Sequence, residues 1–311
     1  MEYPSSSEAV HEGLANAPVR VMSARVKLGP RLVNLWNRRE LLRNLVISDI
    51  RIKYKGSALG LLWSMLNPAF TLGIYYLVFS VVLKNGYPNY VIFLFSGLVL
   101  WNMFQNAVFA ATGVIVDRAG LVKKVSFPRE ILPLASVGSA VIYFLIQICV
   151  LVIFLFVFHH APEWNMIEIL PITFANVYLF AATVSVVMAA FTVYMRDLKH
   201  LMEVLLQLWF WMSPVVYSYS NSLATQLGTH HIKLLYFMNP MALLVLTFQR
   251  TFYVATSVKS TIDGHVIHML PTWAPSSFLY LNLAMLAIMI VLFLVALTIF
   301  GRLEGNFESE L

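Results

Sequence analysis

Few side chains in this sequence are typed and spaced for chemistry, and most of those that are carry positive charge. Arg39, Arg43, Arg51 and Lys55 recur at multiples of four, with Lys53 beside them, so on a helix they line one stripe. Leu42, Val46, Ile50 and Tyr54 line a second stripe at the same spacing. Such a helix suits the headgroup plane of an anionic leaflet, apolar side down and cations outward. A second cluster runs from Asp117 to Glu130 (DRAGLVKKVSFPRE) and mixes Lys123, Lys124, Arg129 and Glu130 with Leu121, Val122, Val125 and Phe127. Pro128 pre-sets a turn or a helix start there. A loop that only reversed the chain needs about half as many residues, so this one is read as a docking surface for a soluble partner. Arg196 and Asp197, in the shorter stretch MRDLKH, are placed to cap helix ends or to pair with that loop. The histidines are less promising. His159-His160 and His230-His231 are adjacent pairs that cannot face one ligand from a helix, and His265-x-x-His268 is accompanied only by Asp263, so no metal site is expected. There is no catalytic constellation and no G-x-x-x-x-G-K-[S/T] loop, so the chain is not expected to be an enzyme or to bind ATP through a phosphate loop of its own.

The elements that must carry these clusters are apolar and long. Of 311 residues, 59% are hydrophobic and 12% charged, against roughly 25% charged in a soluble domain. Charge-free runs cover 56–83, 85–116, 131–158, 169–195, 204–229 and 264–301, and each exceeds the ~20 residues that cross a bilayer. Pro271 and Pro275 put the start of the last span near Ser276. A further stretch, Leu234 to Gln249, is short and broken by Asn239-Pro240, and reads as two short helices that dip into the membrane and return. Six spans leave both termini on one side. With the N-terminus inside, 17 of the 21 lysines and arginines fall on inside segments, as the positive-inside rule requires. Lys84, Lys233, Arg250 and Lys259 fall outside. No span carries an ionisable residue at its centre, where an ion or proton path would need one. The net charge of +6 follows from the inside cations and does not point to nucleic acid. Cys149, the one cysteine, lies in a span and reads as a packing residue. The first thirty residues lack the apolar core of a signal peptide and read as a mobile tail.

Five blocks, in order, resemble a known family: RELLRNLVISDIRIKYKGSALGLLWSMLNP at 39–68, LVKKVSFPREILPL at 121–134, YMRDLKHLMEVLLQLWFWMSPVVYS at 194–218, YFMNP at 236–240, and the closing Arg302 to Leu311. The family comprises the membrane permease subunits of type-2 ATP-binding-cassette exporters of polysaccharides, including O-antigen, capsule and teichoic-acid permeases and the mycobacterial galactan exporter. The resemblance implies an all-α membrane protein of six transmembrane helices in the bacterial inner membrane, with both termini cytoplasmic. By position it implies a tail over 1–30, an amphipathic interface helix within 31–57, a six-span domain over 58–300 and a C-terminal tail over 301–311. It further implies a coupling loop at 117–131 and short re-entrant periplasmic helices within 220–260. The expected partners are a second copy of the chain, two copies of a separate ATPase subunit that holds ATP and magnesium, and membrane lipids. No cofactor is expected in this chain.

On that reading Lys123, Lys124, Phe127, Pro128, Arg129, Glu130, Arg196 and Asp197 couple to the ATPase. Arg51, Lys53 and Lys55, at the inner mouth, meet a polyprenyl-linked pyrophosphate or lipid headgroups. The pathway for the glycan is assigned to Tyr75, Tyr76 and Phe79 in the first span and to Trp209, Phe210 and Trp211 before Ser213-Pro214, because aromatic faces suit the apolar patches of sugar rings. A drug or lipid exporter of the same superfamily would keep the loops without an aromatic path. A membrane-embedded glycosyl transferase would need a carboxylate near the sugar, and no span supplies one.

Overall fold

The computed structural model describes residues 28–57, 60–82, 89–219, 236–254, 257–259 and 266–311. Residues 1–27 of the N-terminal tail, the segment 220–235 with its His230-His231 pair, Asp263 and His265 lie outside the described residues. The described residues begin with two helices, α1 (Leu28–Asn37) and α2 (Arg39–Tyr54), followed by α3 (Trp63–Tyr76), which continues as a π-helical stretch over Leu77–Val82. Then come α4 (Tyr90–Thr112), the short α5 (Val114–Asp117) and α6 (Ala119–Lys124), α7 (Ile131–Val157), α8 (Trp164–Ile167) and α9 (Leu170–Tyr194). Helices α10 (Leu198–Met212), α11 (Pro240–Tyr253), α12 (Pro275–Leu303) and α13 (Phe307–Glu310) complete the α-helices of the described residues. Prolines open several of them: Pro171, Pro240 and Pro275 occupy the first two positions of α9, α11 and α12, where the missing N–H has no intrahelical partner to lose.

Among the described residues, four helical stretches are long and apolar enough to cross a membrane by length and composition: Tyr90–Thr112, Ile131–Val157, Trp164–Tyr194 and Pro275–Asn306. They match the second, third, fourth and sixth charge-free runs. The first run is helical over Trp63–Val82. The fifth departs from expectation. Helix α10 starts six residues before the charge-free stretch and stops at Ser213-Pro214, because Met202, Leu206 and Phe210 form one buried stripe that carries the helix across Lys199 and Glu203. The described residues are all-α apart from one short hairpin, in which Ser257–Lys259 (β1) pairs antiparallel with Val266–His268 (β2); three-residue strands are too short to show a period-two pattern.

Helix α4 is the centre of the bundle and packs against α3, α7, α9, α10 and α11. The outer flanks of α7 and α12 expose Leu145, Ile153, Phe156, Ile288, Val291 and Val295, the kind of unpartnered apolar face that lipid covers. Polar groups inside the bundle tie helices together. Asn282 on α12 donates to Thr247 on α11 (3.1 Å) and accepts at its carbonyl from Asn176 on α9 (2.8 Å).

The irregular stretch 213–219 after α10 is buried, and side chains supply what a helix would have supplied. Gln249 Nε2 donates to the Val215 carbonyl (3.1 Å), the Tyr90 hydroxyl donates to the Val216 carbonyl, and Ser218 Oγ donates to the Met269 carbonyl (2.9 Å). Non-helical backbone at membrane depth is tolerated only with such internal partners. Asn239 fixes the start of α11 in the same way. Its Oδ1 accepts from Met241 N (3.1 Å) and Trp209 Nε1 (2.8 Å), and its Nδ2 donates to Ser213 Oγ (3.1 Å). Gly97 on α4 makes room for this arrangement: a Cβ there would lie 2.6 Å from Gln249 Nε2 and 3.0 Å from the Val215 carbonyl. Gly97→Ala is therefore expected to destabilise the protein by about 1–3 kcal/mol through overpacking. Thermal unfolding in detergent checks this, and an unchanged midpoint would show that the Gln249 amide relocates freely.

Candidate functional site

Every described segment that the charge pattern assigned to the inside converges on one end of the bundle. Arg31 of α1 reaches Glu130 and Glu304, Lys199 Nζ lies 3.2 Å from Asp117 Oδ2, and the Tyr194 hydroxyl donates to the Leu303 carbonyl (2.6 Å). At the opposite end Asn89, His160 and Tyr253 meet: His160 Nε2 is 2.7 Å from the Tyr253 carbonyl, and its Nδ1 is 3.4 Å from Asn89 Nδ2. Residues 31 and 304 thus lie at one end of the bundle.

At the cation-rich end a cleft of about 1000 Å³ opens between α1, the 122–130 segment and the end of α12. Its rim carries Arg38, Lys123 and Lys124, all exposed; its floor carries Arg31, Arg129, Glu130 and Glu304. The floor is neutralised internally. Burial works against the Arg31 cation, yet the Glu130 and Glu304 carboxylates hold its pKa above the ordinary guanidinium value. The rim cations have no such carboxylates on the cleft lining and give the cleft its net positive charge. Six of the eight residues expected to couple, Lys123, Lys124, Phe127, Pro128, Arg129 and Glu130, line this one cleft.

Two of the expectations change in detail. Phe127 is half-buried against the chain's own core, whereas Leu121 and Val125, one helical turn apart, are the exposed apolar residues of the segment (37% and 50%). Arg196 and Asp197 are exposed and make no side-chain bond to the first loop; that pairing is made by Lys199 with Asp117 instead. The lysine sits on the first turn of α10, which places its ammonium nearer the loop than the connecting residues can reach.

Helix α2 keeps its two stripes. Arg39, Arg43, Arg51 and Lys55 are exposed, and Leu42, Val46, Ile50 and Tyr54 are half-buried. The apolar stripe, however, runs along α7: the Tyr54 and Tyr143 rings meet edge to face at 6.1 Å, and a Cβ on Gly138 would lie 2.8 Å from Val46. Asp49 is paired with Arg118. Lys53 lies over the Tyr143 ring at 4.3 Å, and burial pushes its pKa down. Arg51 and Lys55 are thus the cations of this trio that point away from protein.

The aromatic residues assigned to a pathway divide. Trp209 is tied to Asn239 and packs edge-on against Phe104 and Phe180; Phe210 is buried against Tyr75, Trp101 and Trp211. Tyr75 is half-buried, Tyr76 and Trp211 are exposed, and the Phe79 side chain lies outside the described residues. Helical phase explains the split, since Trp209 and Phe210 share the buried side of α10 with Leu206 while Trp211 turns away. Among the described residues, no group of three His, Cys, Asp or Glu side chains is placed to hold a metal ion. Sequence reading missed Arg31, Gly301 and Glu304, whose only local signal is a glycine and two charges at the ends of apolar helices.

An amphipathic helix leading into a bundle of membrane helices, with a cation-rimmed loop cleft at one end, defines a multi-pass integral membrane protein. Residues 40–253 match the ABC-2 type transporter family, and the chain belongs to it. It is 31% identical over 277 residues to the O-antigen export system permease protein RfbA of Myxococcus xanthus, covering 89% of this chain and 97% of that one. A permease of the same name from Klebsiella pneumoniae is 28% identical over 272 residues, covering 88% and 95%.

Proposed function

We propose that this chain is the permease subunit of an exporter that moves polyprenyl-pyrophosphate-linked polysaccharide, of the O-antigen, teichoic-acid or cell-wall galactan kind, across the bacterial inner membrane. The observation that carries the reading is near-full-length similarity to two O-antigen export permeases, joined to a cationic cleft built from the segment whose composition suits docking. The working unit is a homodimer with two copies of an ATPase subunit, which supplies ATP and magnesium. The chain crosses the membrane six times with both termini cytoplasmic. Trp63–Val82 forms the first crossing and α10 with its continuation the fifth, and α11 returns from within the bundle as one of the re-entrant helices. Residues Leu121 to Glu130 receive the ATPase, with Arg196 and Asp197 at the margin. The exposed faces of Tyr75, Tyr76 and Trp211 line the glycan path together with Phe79, supported by Trp209 and Phe210 from behind. Arg51 and Lys55, with Lys53, meet the pyrophosphate or headgroups.

Depleting the chain in its host is expected to remove the glycan from the cell surface while lipid-linked glycan accumulates on the inner leaflet. Normal surface glycan with lost efflux of a drug or a lipid would overturn the substrate assignment. The purified chain alone is expected to hydrolyse no ATP, and hydrolysis is expected to appear on adding a subunit that bears a phosphate loop. Hydrolysis by the isolated chain at a comparable rate would contradict the division of labour.

A further inference from the structure

Three segments far apart in sequence meet at the floor of the cleft, and Arg31 is their hub. Its Nε donates to Glu130 Oε1 and its Nη2 donates to Glu304 Oε2 (2.6 Å), partners 99 and 273 positions away. The guanidinium also lies over the Phe300 ring, 5.7 Å from its centre. Arg129 closes the arrangement from the loop side: its Nη1 donates to the Glu304 carbonyl (3.1 Å), and its guanidinium lies over Phe307 at 6.0 Å. Phe307 is fully buried and meets Tyr194 and Phe300 edge-on, so the residues after α12 are seated in the bundle.

Burial separates this cluster from an ordinary surface tie. Arg31 is 7% exposed and Glu130 1%, and a charge-assisted bond away from water is both stronger and more directional than one in water. A second observation comes from the helix opposite. A Cβ on Gly301 would overlap the Arg31 guanidinium, so α12 carries no side chain where the cation must lie. The loop itself needs such a tie. Between the end of α6 at Lys124 and the start of α7 at Ile131 there is no regular helix to transmit a push.

We propose that Arg31 is a positioning residue that locks the 125–130 loop to both α1 and the end of α12, so that a partner displacing the loop moves the first helix and the last membrane helix together. The proposal rests on the coupling reading above. On it, Glu130 and Glu304 are the two faces of the lock, and Gly301 is the slot that admits it.

The test uses the full chain with its ATPase subunit and reads three quantities: co-purification of the two subunits, ATP hydrolysis, and glycan exported per ATP hydrolysed. Arg31→Ala and Gly301→Ala are expected to leave co-purification unchanged and hydrolysis within about twofold, while export per ATP falls about tenfold. Glu304→Gln, of the same size but without charge, is expected to lower it about threefold. Because the residues act as a unit, Arg31→Ala with Glu304→Gln is expected to be no worse than Arg31→Ala alone, and Arg31→Lys is expected to restore part of the loss. An unchanged ratio in Gly301→Ala and Glu304→Gln would overturn the proposal, as would a fall in export matched by an equal fall in hydrolysis. If Arg31→Ala fails to accumulate in the membrane, the isosteric Glu304→Gln decides alone. Failure of the coupling reading looks different: aspartates at Leu121 and Val125 would then leave both assembly and export normal.

Discussion

Aspartate at both Leu121 and Val125 is expected to abolish co-purification with the ATPase subunit and, with it, glycan export, while the chain stays folded and inserted. These two side chains are exposed, one turn apart, and flanked by Lys123 and Lys124. A new charge inside a docked interface has no partner, and disruption of a central contact costs 2 kcal/mol or more, which is roughly a 30-fold loss of affinity per site. Neither residue belongs to the chain's own core, so thermal stability is expected to stay within about 0.5 kcal/mol. Phe127 is the poorer probe, because it packs on that core. Normal assembly and export in the double variant would remove the 121–130 segment from docking and return attention to the exposed Arg196 and Asp197.

The second large effect separates two adjacent tryptophans. Trp209→Ala is expected to cost about 3–5 kcal/mol, as truncation of a packed aromatic does, since it empties a site against Phe104 and Phe180 and strands Asn239 Oδ1 of one of its two donors. Trp211→Ala, at a 49% exposed position, is expected to leave the unfolding midpoint nearly unchanged and to reduce export. Thermal unfolding and surface glycan measured on the same two variants check this. Equal destabilisation by both would mean that Trp211 is packed in the working assembly, and normal export in Trp211→Ala would remove it from the path.

Those tryptophans also mark how far the sequence could be read. The ends of α7, α9 and α12 were legible to within a residue or two, because each apolar run is bounded by charge or proline, and crossing a bilayer imposes one length. The start of helix α10 is not legible from the charge-free run at 204–229, because the absence of charge is a poor boundary when Lys199 and Glu203 can sit on an exposed side while Met202 and Leu206 are buried. Aromatic residues 209 to 211 were legible as a group and not as individuals, since which one faces inward depends on the angle at which α10 meets α4. The loop 117–130 announced itself through composition. Its lock did not, because the pairing of Arg31 with Glu130 and Glu304 is set by tertiary proximity of segments that share no local pattern.

The irregular stretch after α10 has a consequence for how the protein is made. Tyr90 on α4 and the Val216 carbonyl it bonds are separated by 126 positions. At roughly 5–20 residues per second of synthesis, α4 sits in the bilayer for about 6–25 s before the backbone that fills its notch at Gly97 is made. During that interval Val215 and Gln249, the residues that crowd Gly97 in the finished fold, have not been made. Residues 213–219 and α11 are therefore synthesised well after the helix they pack against. A chain stalled between residues 112 and 213 would leave the Gly97 notch of α4 without the backbone that fills it in the finished protein.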